Sequence, residues 1–221
     1  LCMFLRKYYE NGRIASIAQL HLDRLIEIAV DVLDMSGRLV TRKIHVELMG
    51  KYSNVIFTED GTIIEALIKT GKNKQALRTI APKEPYAFPP NFMRMDPFAF
   101  SAQELTDMME TGTDEPLKTW MLKRFNGMST IVLNELSHDS GIDAGRPVGD
   151  LSPADRFAWC RTVEAFGKRL EGMSGAYVYT VKGKEVIFPL ELHSLAQYPR
   201  RHFSLIETYL SEYQATHRSL N

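Results

Sequence analysis

Val55-Ile56-Phe57-Thr58-Glu59-Asp60-Gly61-Thr62-Ile63-Ile64-Glu65-Ala66-Leu67-Ile68 decides the fold class of the N-terminal half. Asp-Gly between two runs of β-branched and aromatic residues marks a two-residue hairpin, because both turn positions require positive φ. The spacing predicts strands over Val55–Phe57 and Thr62–Ile68, paired across Asp60-Gly61. Toward the N-terminus, Leu39–Leu48 reads as a further strand and Ser36-Gly37 as a turn. Leu22–Leu33 alternates, with Leu22, Arg24, Ile26, Ile28 and Val30 on one face and Asp23, Leu25, Glu27, Ala29 and Asp31 on the other. A shorter run, Ile14–Ala18, adds a strand. Before it the pattern predicts a helix over Leu1–Asn11, closed by Gly12 just past its end. Five strands in about 55 residues, joined by tight turns, predict an antiparallel sheet or sandwich.

In the other direction the strand pattern stops at Lys69. Lys69–Pro90 reads as a loop punctuated by Pro82, Pro85, Pro89 and Pro90. A domain boundary is placed here, dividing the chain into residues 1–95 and 96–221. Ser101 with Glu104 is a capping-box pattern for a helix to about Thr111. Leu117–Phe125 follows as a short helix. Ser129 is placed to cap a third helix to about His138, and Ser152-Pro153 opens a fourth to about Leu170. Ala176–Val181 and Glu185–Leu190 read as a hairpin around Lys182-Gly183-Lys184, and a last helix is expected from Arg201 onward. The fold class is α+β: an antiparallel sheet domain, then a mainly helical domain carrying a hairpin.

The chain has 221 residues, 27 basic and 27 acidic side chains, and 44% hydrophobic residues. That composition excludes disordered and low-complexity classes. Cys2 and Cys160 stand too far apart in sequence for a short-spaced zinc motif, so no metal or cofactor is expected. No apolar run is long enough to span a membrane and no signal-peptide pattern is present, which predicts a cytoplasmic location. The first residue is Leu1, so a piece of a longer chain is expected. Phosphate-loop, H-E-x-x-H and G-x-S-x-G motifs are absent, and the six histidines are scattered. No catalytic residue is assigned, and the chain is expected not to be an enzyme.

Three stretches carry positive signals. Phe125-Asn126-Gly127-Met128-Ser129 between two short helices resembles a helix-hairpin-helix turn, in which helix N–H groups and the positive dipole end can meet a phosphate. Gly127 and Ser129 are therefore candidates for phosphate contact; an ordinary connection in a small bundle fits the spacing equally. Lys69, Lys72, Lys74, Arg78 and Lys83 form a basic loop, free of acids from Ala66 to Lys83. It could track a phosphate backbone or simply be solvated. Residues 1–90 hold 13 basic and 10 acidic residues and the remainder 14 and 17, so the sheet half is the basic half. Finally, Glu47-Leu48-Met49-Gly50-Lys51-Tyr52-Ser53-Asn54 leaves one strand and enters the next through a glycine corner. Spacing alone favours a bulged turn with core packing for Leu48 and Met49.

This last block, with Leu5-Arg6-Lys7, Asn11-Gly12-Arg13-Ile14, Leu22-Asp23-Arg24, Pro85-Tyr86, Phe125-Asn126-Gly127-Met128-Ser129 and Gly183-Lys184-Glu185, resembles the NFACT family. This is the bacterial RqcH group, long labelled fibronectin-binding protein A, with NEMF as its eukaryotic counterpart. The resemblance covers nearly the whole chain. It implies most of an NFACT-N domain, similar in fold to the N-terminal domain of formamidopyrimidine-type DNA glycosylases, followed by a helix-hairpin-helix domain. It implies a role in ribosome-associated quality control, with alanyl-tRNA and a large ribosomal subunit carrying a stalled nascent chain as partners, and C-terminal alanine tailing as outcome. The family's tRNA-engaging Asp-Arg pair falls on Asp23-Arg24, and its Glu-Ile-Met triplet on Glu47-Leu48-Met49, with Leu in place of Ile.

Two other function classes remain on sequence grounds. A fibronectin-binding surface adhesin is disfavoured by the missing signal pattern. A DNA-repair glycosylase would need an N-terminal amine nucleophile and usually a zinc ribbon, which two cysteines cannot build.

Overall fold

The computed structural model describes residues 1–71, 78–90, 94–109 and 113–218. The chain divides into two compact units, Leu1–Arg94 and Met95–Asn221.

The first unit is a five-stranded antiparallel meander: β1 (Arg13–Gln19), β2 (Leu25–Leu33), β3 (Leu39–Glu47), β4 (Asn54–Glu59) and β5 (Thr62–Ala66), in that spatial order. Of the two arrangements expected, the described residues form one sheet. Asp60 (φ 48) and Gly61 (φ 75) make the two-residue turn between β4 and β5, and both residues tolerate that region. Helix α1 (Cys2–Tyr9) covers one face. Its Phe4 and Tyr9 rings lie 5.0 and 5.7 Å from Phe57. Arg42 is buried there; it donates to the Tyr8 carbonyl at 2.6 Å and pairs with Glu59 at 2.6 Å. On the other face Ile56, Ile63, Ala66 and Ile80 form a small core with Tyr86 against it.

Three expectations for this unit are corrected. β2 begins at Leu25, not Leu22, because Leu20–Asp23 is a tight turn whose Asp23 N–H donates to the Leu20 carbonyl at 3.1 Å. Asn11 (φ 60), not Gly12, holds the left-handed position after α1. The stretch read as one loop from Lys69 is partly sheet-bound: the Lys83 N–H donates to the Ile63 carbonyl (2.8 Å), the Ile63 N–H to the Glu84 carbonyl (2.9 Å), and the Tyr86 N–H to the Gly61 carbonyl (2.8 Å). This strap extends the sheet edge beyond β5. The prolines that spoil a regular strand still allow such partial pairing.

The second unit packs α2 (Ala102–Met109), α3 (Leu117–Arg124), α4 (Thr130–Ser140) and α5 (Pro153–Leu170) around Leu117, Trp120, Leu136, Trp159 and Val163, all nearly inaccessible. Both capping expectations hold. Ser101 and Glu104 exchange hydrogen bonds, and Ser152 forms a full capping box with Asp155. A three-stranded sheet follows, ordered β7-β6-β8, from β6 (Ala176–Val181), β7 (Lys184–Phe188) and β8 (Arg200–Phe203). The hairpin is shorter than expected, since β7 stops at Phe188. Arg201 lies in a strand, and the last helix, α6, runs from Ile206 to Arg218. Arg200-Arg201-His202-Phe203 has no apolar periodicity of its own; pairing of Ala176 with Phe203 and Tyr177 with His202 makes it a strand.

Gly12 is required for close approach. A Cβ there would lie 2.7 Å from Val32 Cγ1, 2.8 Å from Val30 Cγ1 and 2.9 Å from the Tyr9 carbonyl oxygen. Gly12→Ala should lower unfolding stability by about 1–3 kcal/mol, the usual cost of overpacking. Urea unfolding measures it; an unchanged midpoint would contradict the packing of α1 on the sheet.

Candidate nucleic-acid interface

The β1–β2 turn is strained. His21 (φ 51) and Leu22 (φ 52) occupy two successive left-handed positions, at roughly 1–2 kcal/mol each for a side chain with a Cβ. Such strain concentrates at functional sites. The turn is held by Gln19 Nε2 donating to the Asp23 carbonyl (2.8 Å) and by the Asp23 carboxylate accepting from the Arg24 N–H (2.7 Å).

β2 and β3 pair Leu25 with Glu47. One step further, the Leu48 N–H donates to the Arg24 carbonyl at 2.8 Å. Two motifs 24 positions apart in sequence thus become neighbours, Asp23-Arg24 against Leu48-Met49. After Met49 the chain turns through Gly50 (φ 57) into a single 3-10 turn, Gly50–Tyr52. Leu48 is 47% exposed, Tyr52 71% and Leu22 42%. Lys51 Nζ lies 5.0 Å from the Tyr52 ring centre. Arg24 is exposed and has no ion-pair partner among the described residues. The tip therefore offers an aromatic ring, aliphatic surface and two cations, the side chains that stack on unpaired bases and contact phosphates.

Glu47 is different. It has no exposed surface. Arg78 grips both its carboxylate oxygens, Nη1 at 2.8 Å and Nη2 in a closer contact. Tyr86 Oη donates to it at 2.9 Å, and Arg78 Nη1 also donates to the Ala87 carbonyl at 2.7 Å. Behind this pair the His45 ring stacks on Tyr86 at 4.0 Å and 13°, and His45 Nε2 meets Thr58 Oγ1 at 3.0 Å. Burial and the Glu47 charge push the Tyr86 hydroxyl well above its ordinary range. Burial works against the Arg78 charge, but the bonds to Glu47 outweigh it and the guanidinium holds its proton more tightly than usual. Asn54 ties the other end of the block: its Nδ2 donates to the Ile68 carbonyl (2.8 Å) and its Oδ1 accepts from the Ile68 N–H (2.9 Å).

Each expected site residue can now be placed. Asp23, Arg24, Leu48 and Met49 come together at one end of the sheet. Glu47 lies beneath them and is not itself reachable by a ligand, since a doubly held buried carboxylate presents no free face. Lys69 pairs with Glu65 at 2.7 Å, while Lys72 and Lys74 lie outside the described residues. Arg78 does not track phosphate as a loop cation would, because its charge is turned inward to Glu47. Gly127 (φ 73) makes the sharp turn expected of it, and the Ser129 hydroxyl caps α4 by accepting from the Val132 N–H at 3.3 Å. That hydroxyl is committed to the helix. Sequence reasoning missed the roles of Arg78, Tyr86 and His45. Their partners are remote in sequence, and the signal available was Pro85-Tyr86 among the motifs that carry the family resemblance.

A second cluster joins Glu135, Asp139 and His193, whose ligand atoms lie within 4.8 Å of one another. Arg169 Nη1 already sits 3.4 Å from Glu135 and 3.2 Å from Asp139, and the His193 and Ser194 N–H groups donate to Glu135 at 2.8 and 2.9 Å. A guanidinium among these carboxylates makes the cluster a structural ion-pair network rather than a metal cradle. A hollow of about 560 Å³ beside α6 has Arg201 paired with both Glu185 and Glu212. Tyr209 Oη also donates to Glu185 there at 3.4 Å, so these polar groups are engaged with one another.

Residues 1–219 match the family described as NFACT N-terminal and middle domains. The chain belongs to the NFACT family. It is 29% identical over 209 residues to the Rqc2 homolog RqcH of Bacillus subtilis, covering 93% of this chain and 35% of that protein. It is 32% identical over 143 residues to the Rqc2 homolog RqcH of Streptococcus suis, covering 64% of this chain and 26% of that protein. The chain thus spans about a quarter to a third of the length of these curated relatives. In fold it is similar to the fibrinogen-binding protein of Staphylococcus aureus (TM-score 0.75, 22% identity, 96% of this chain and 73% of the other). It is also similar to the N-terminal part of the fibronectin/fibrinogen-binding protein of Streptococcus suis (TM-score 0.70, 26% identity, 97% and 72%). The NFACT assignment drawn from the Glu47–Asn54 block and its companion motifs therefore stands. Among the described residues no helix is long and apolar enough to cross a membrane.

The buried histidine sets a pH dependence. Burial lowers the His45 pKa from 6.5 to about 4; Lys43 and Arg78 push the same way, and Glu27 and Glu47 oppose them. Between those values the unfolded chain takes up a proton that the folded chain does not, so stability falls as pH drops from 6.5 to about 4. Below about 4 this source adds no further loss. In His45→Gln the urea midpoint should vary less with pH across that window than in the parent. An equal slope in both proteins would show that His45 is not held neutral by the fold.

Proposed function

We propose that this chain is the tRNA- and large-subunit-binding part of an RqcH-like quality-control factor, and that it acts by binding rather than by catalysis. In this reading alanyl-tRNA and a large ribosomal subunit blocked by a nascent chain are the partners. The outcome is alanine tailing of that chain, and the location is cytoplasmic. One observation carries the reading: the fold joins Asp23-Arg24 to Leu48-Met49 through the Arg24–Leu48 backbone bond and sets Lys51 and an exposed Tyr52 beside them. Membership of the NFACT family supports it. Arg24 grips phosphate or stacks on a base, Tyr52 stacks, Leu48 and Leu22 pack against sugar and base faces, and Asp23 holds the turn that presents Arg24.

The two solved neighbours are named for fibrinogen and fibronectin binding, which makes surface adhesion the competing reading. Fractionation of cells, with the native protein found mainly on the surface, would favour adhesion over RNA binding.

The RNA reading makes a graded prediction. In the full-length protein Arg24→Ala and Tyr52→Ala should each weaken binding of unfractionated tRNA by roughly tenfold, the order expected for loss of one stacked base or phosphate grip. Asp23→Ala should weaken it as well. Met35→Ala, at the opposite end of the β2–β3 pair and 99% exposed, should have no effect. Anisotropy titrations at fixed salt measure this; parent-like affinity in both Arg24→Ala and Tyr52→Ala would remove the assignment.

A further inference from the structure

We propose that Arg78 and Tyr86 are positioning residues of the RNA-binding tip, acting through Glu47; the proposal rests on the RNA reading above. Glu47 is the last residue of β3, and Leu48 is the first residue of the exposed tip. The Glu47 backbone is paired on both sides, to Leu25 and to Asn54, and its carboxylate is held from below by two side chains of the strap. Both the backbone and the side chain at the root of the tip are thereby held. Above that root the tip is open: Leu48, Gly50, Lys51 and Tyr52 are exposed and Met49 is half-buried.

The strap is well suited to this role. The Tyr86 N–H binds the Gly61 carbonyl at the sheet edge, and its ring crosses to stack on His45 of β3, so its hydroxyl reaches Glu47 at a fixed height. Arg78 is anchored further by the Ala87 carbonyl, which accepts from the same Nη1 that bonds Glu47. A bidentate guanidinium fixes both the position and the plane of the carboxylate. Lysine at this position would keep the charge and lose the plane. Glu47 therefore influences RNA without touching it, and the strap sets where Leu48, Met49 and Tyr52 sit.

The test compares affinity, local structure and stability in the full-length protein, with unfractionated tRNA as probe. Tyr86→Phe keeps the stacked ring and removes one hydrogen bond; Arg78→Lys keeps the charge. Each should weaken tRNA binding by about three- to tenfold, the range of one net hydrogen bond. The methyl resonance of Met49 should shift in both variants, while that of Met35, at the far end of the same strand pair, should stay in place. In a Tyr52→Ala background Tyr86→Phe should cost less than twofold, because a displaced tip no longer has a ring to misplace. Parent-like affinity and an unmoved Met49 resonance in both variants, with Arg24→Ala still impaired, would overturn the positioning role and leave the RNA reading standing. Equal tRNA binding by the parent, Arg24→Ala and Tyr52→Ala would overturn the RNA reading and the proposal together.

Discussion

A fully buried carboxylate, Glu47, gripped by Arg78 and Tyr86, is the constraint on which the sheet unit depends. Taking two charges out of water is costly, and a buried pair is stable only when geometry and extra hydrogen bonds compensate. Here the guanidinium is bidentate, the tyrosine supplies a third bond, and the Ala87 carbonyl takes up a further Arg78 donor. Breaking such a pair by removing one partner costs about 3–5 kcal/mol, a large part of a small domain's stability. The same pair joins the strap to the central strands. Without it Tyr86 would lose its acceptor and the strap its side-chain link to β3, leaving only its backbone bonds to Ile63 and Gly61.

For the proposed RNA-binding role the consequence is a division of labour. Charged and aromatic groups at the tip remain exposed, and a polar group beneath them fixes the backbone that carries them. A neutral chain can act on RNA in this way because net charge is a poor guide to the local surface. Most cations of the sheet unit with named partners are neutralised in place: Arg38 by Asp34, Arg42 by Glu59, Lys43 by Glu27, Lys69 by Glu65 and Arg78 by Glu47. Arg24 and Lys51 have no ion pair among the described residues, and Lys51 lies over the Tyr52 ring. The count of 27 against 27 says little about the tip.

The strands of the meander and of the β6–β7 hairpin were legible because hairpin turns and β-branched runs are local signals. Asp60-Gly61 and Lys182-Gly183 each marked a real turn with both residues at positive φ. The capping of α2, α4 and α5 was legible for the same reason. What sequence could not give were features made by distant partners. β8 is a strand because β6 offers it a ladder. The strap joins the sheet edge because Ile63 and Gly61 have free backbone groups to share. Arg78 looked like one member of a basic loop, and only the fold shows that its charge points to Glu47, 31 positions away. His45 was one of six scattered histidines, and its burial between Tyr86 and Thr58 comes from partners remote in sequence. Glu47 was read as part of the RNA-contacting triplet, and burial moves it one layer beneath.

The central claim is that the tip at the Arg24–Leu48 end of the β2–β3 pair faces RNA. Site-specific photocrosslinking tests it most directly, with a benzophenone amino acid placed at position 52 or at position 35 of the full-length protein on tRNA-loaded large subunits. The account predicts crosslinks to tRNA from position 52 and none from position 35. Crosslinks to tRNA from position 35 alone, or from neither position while tRNA remains bound, would contradict it.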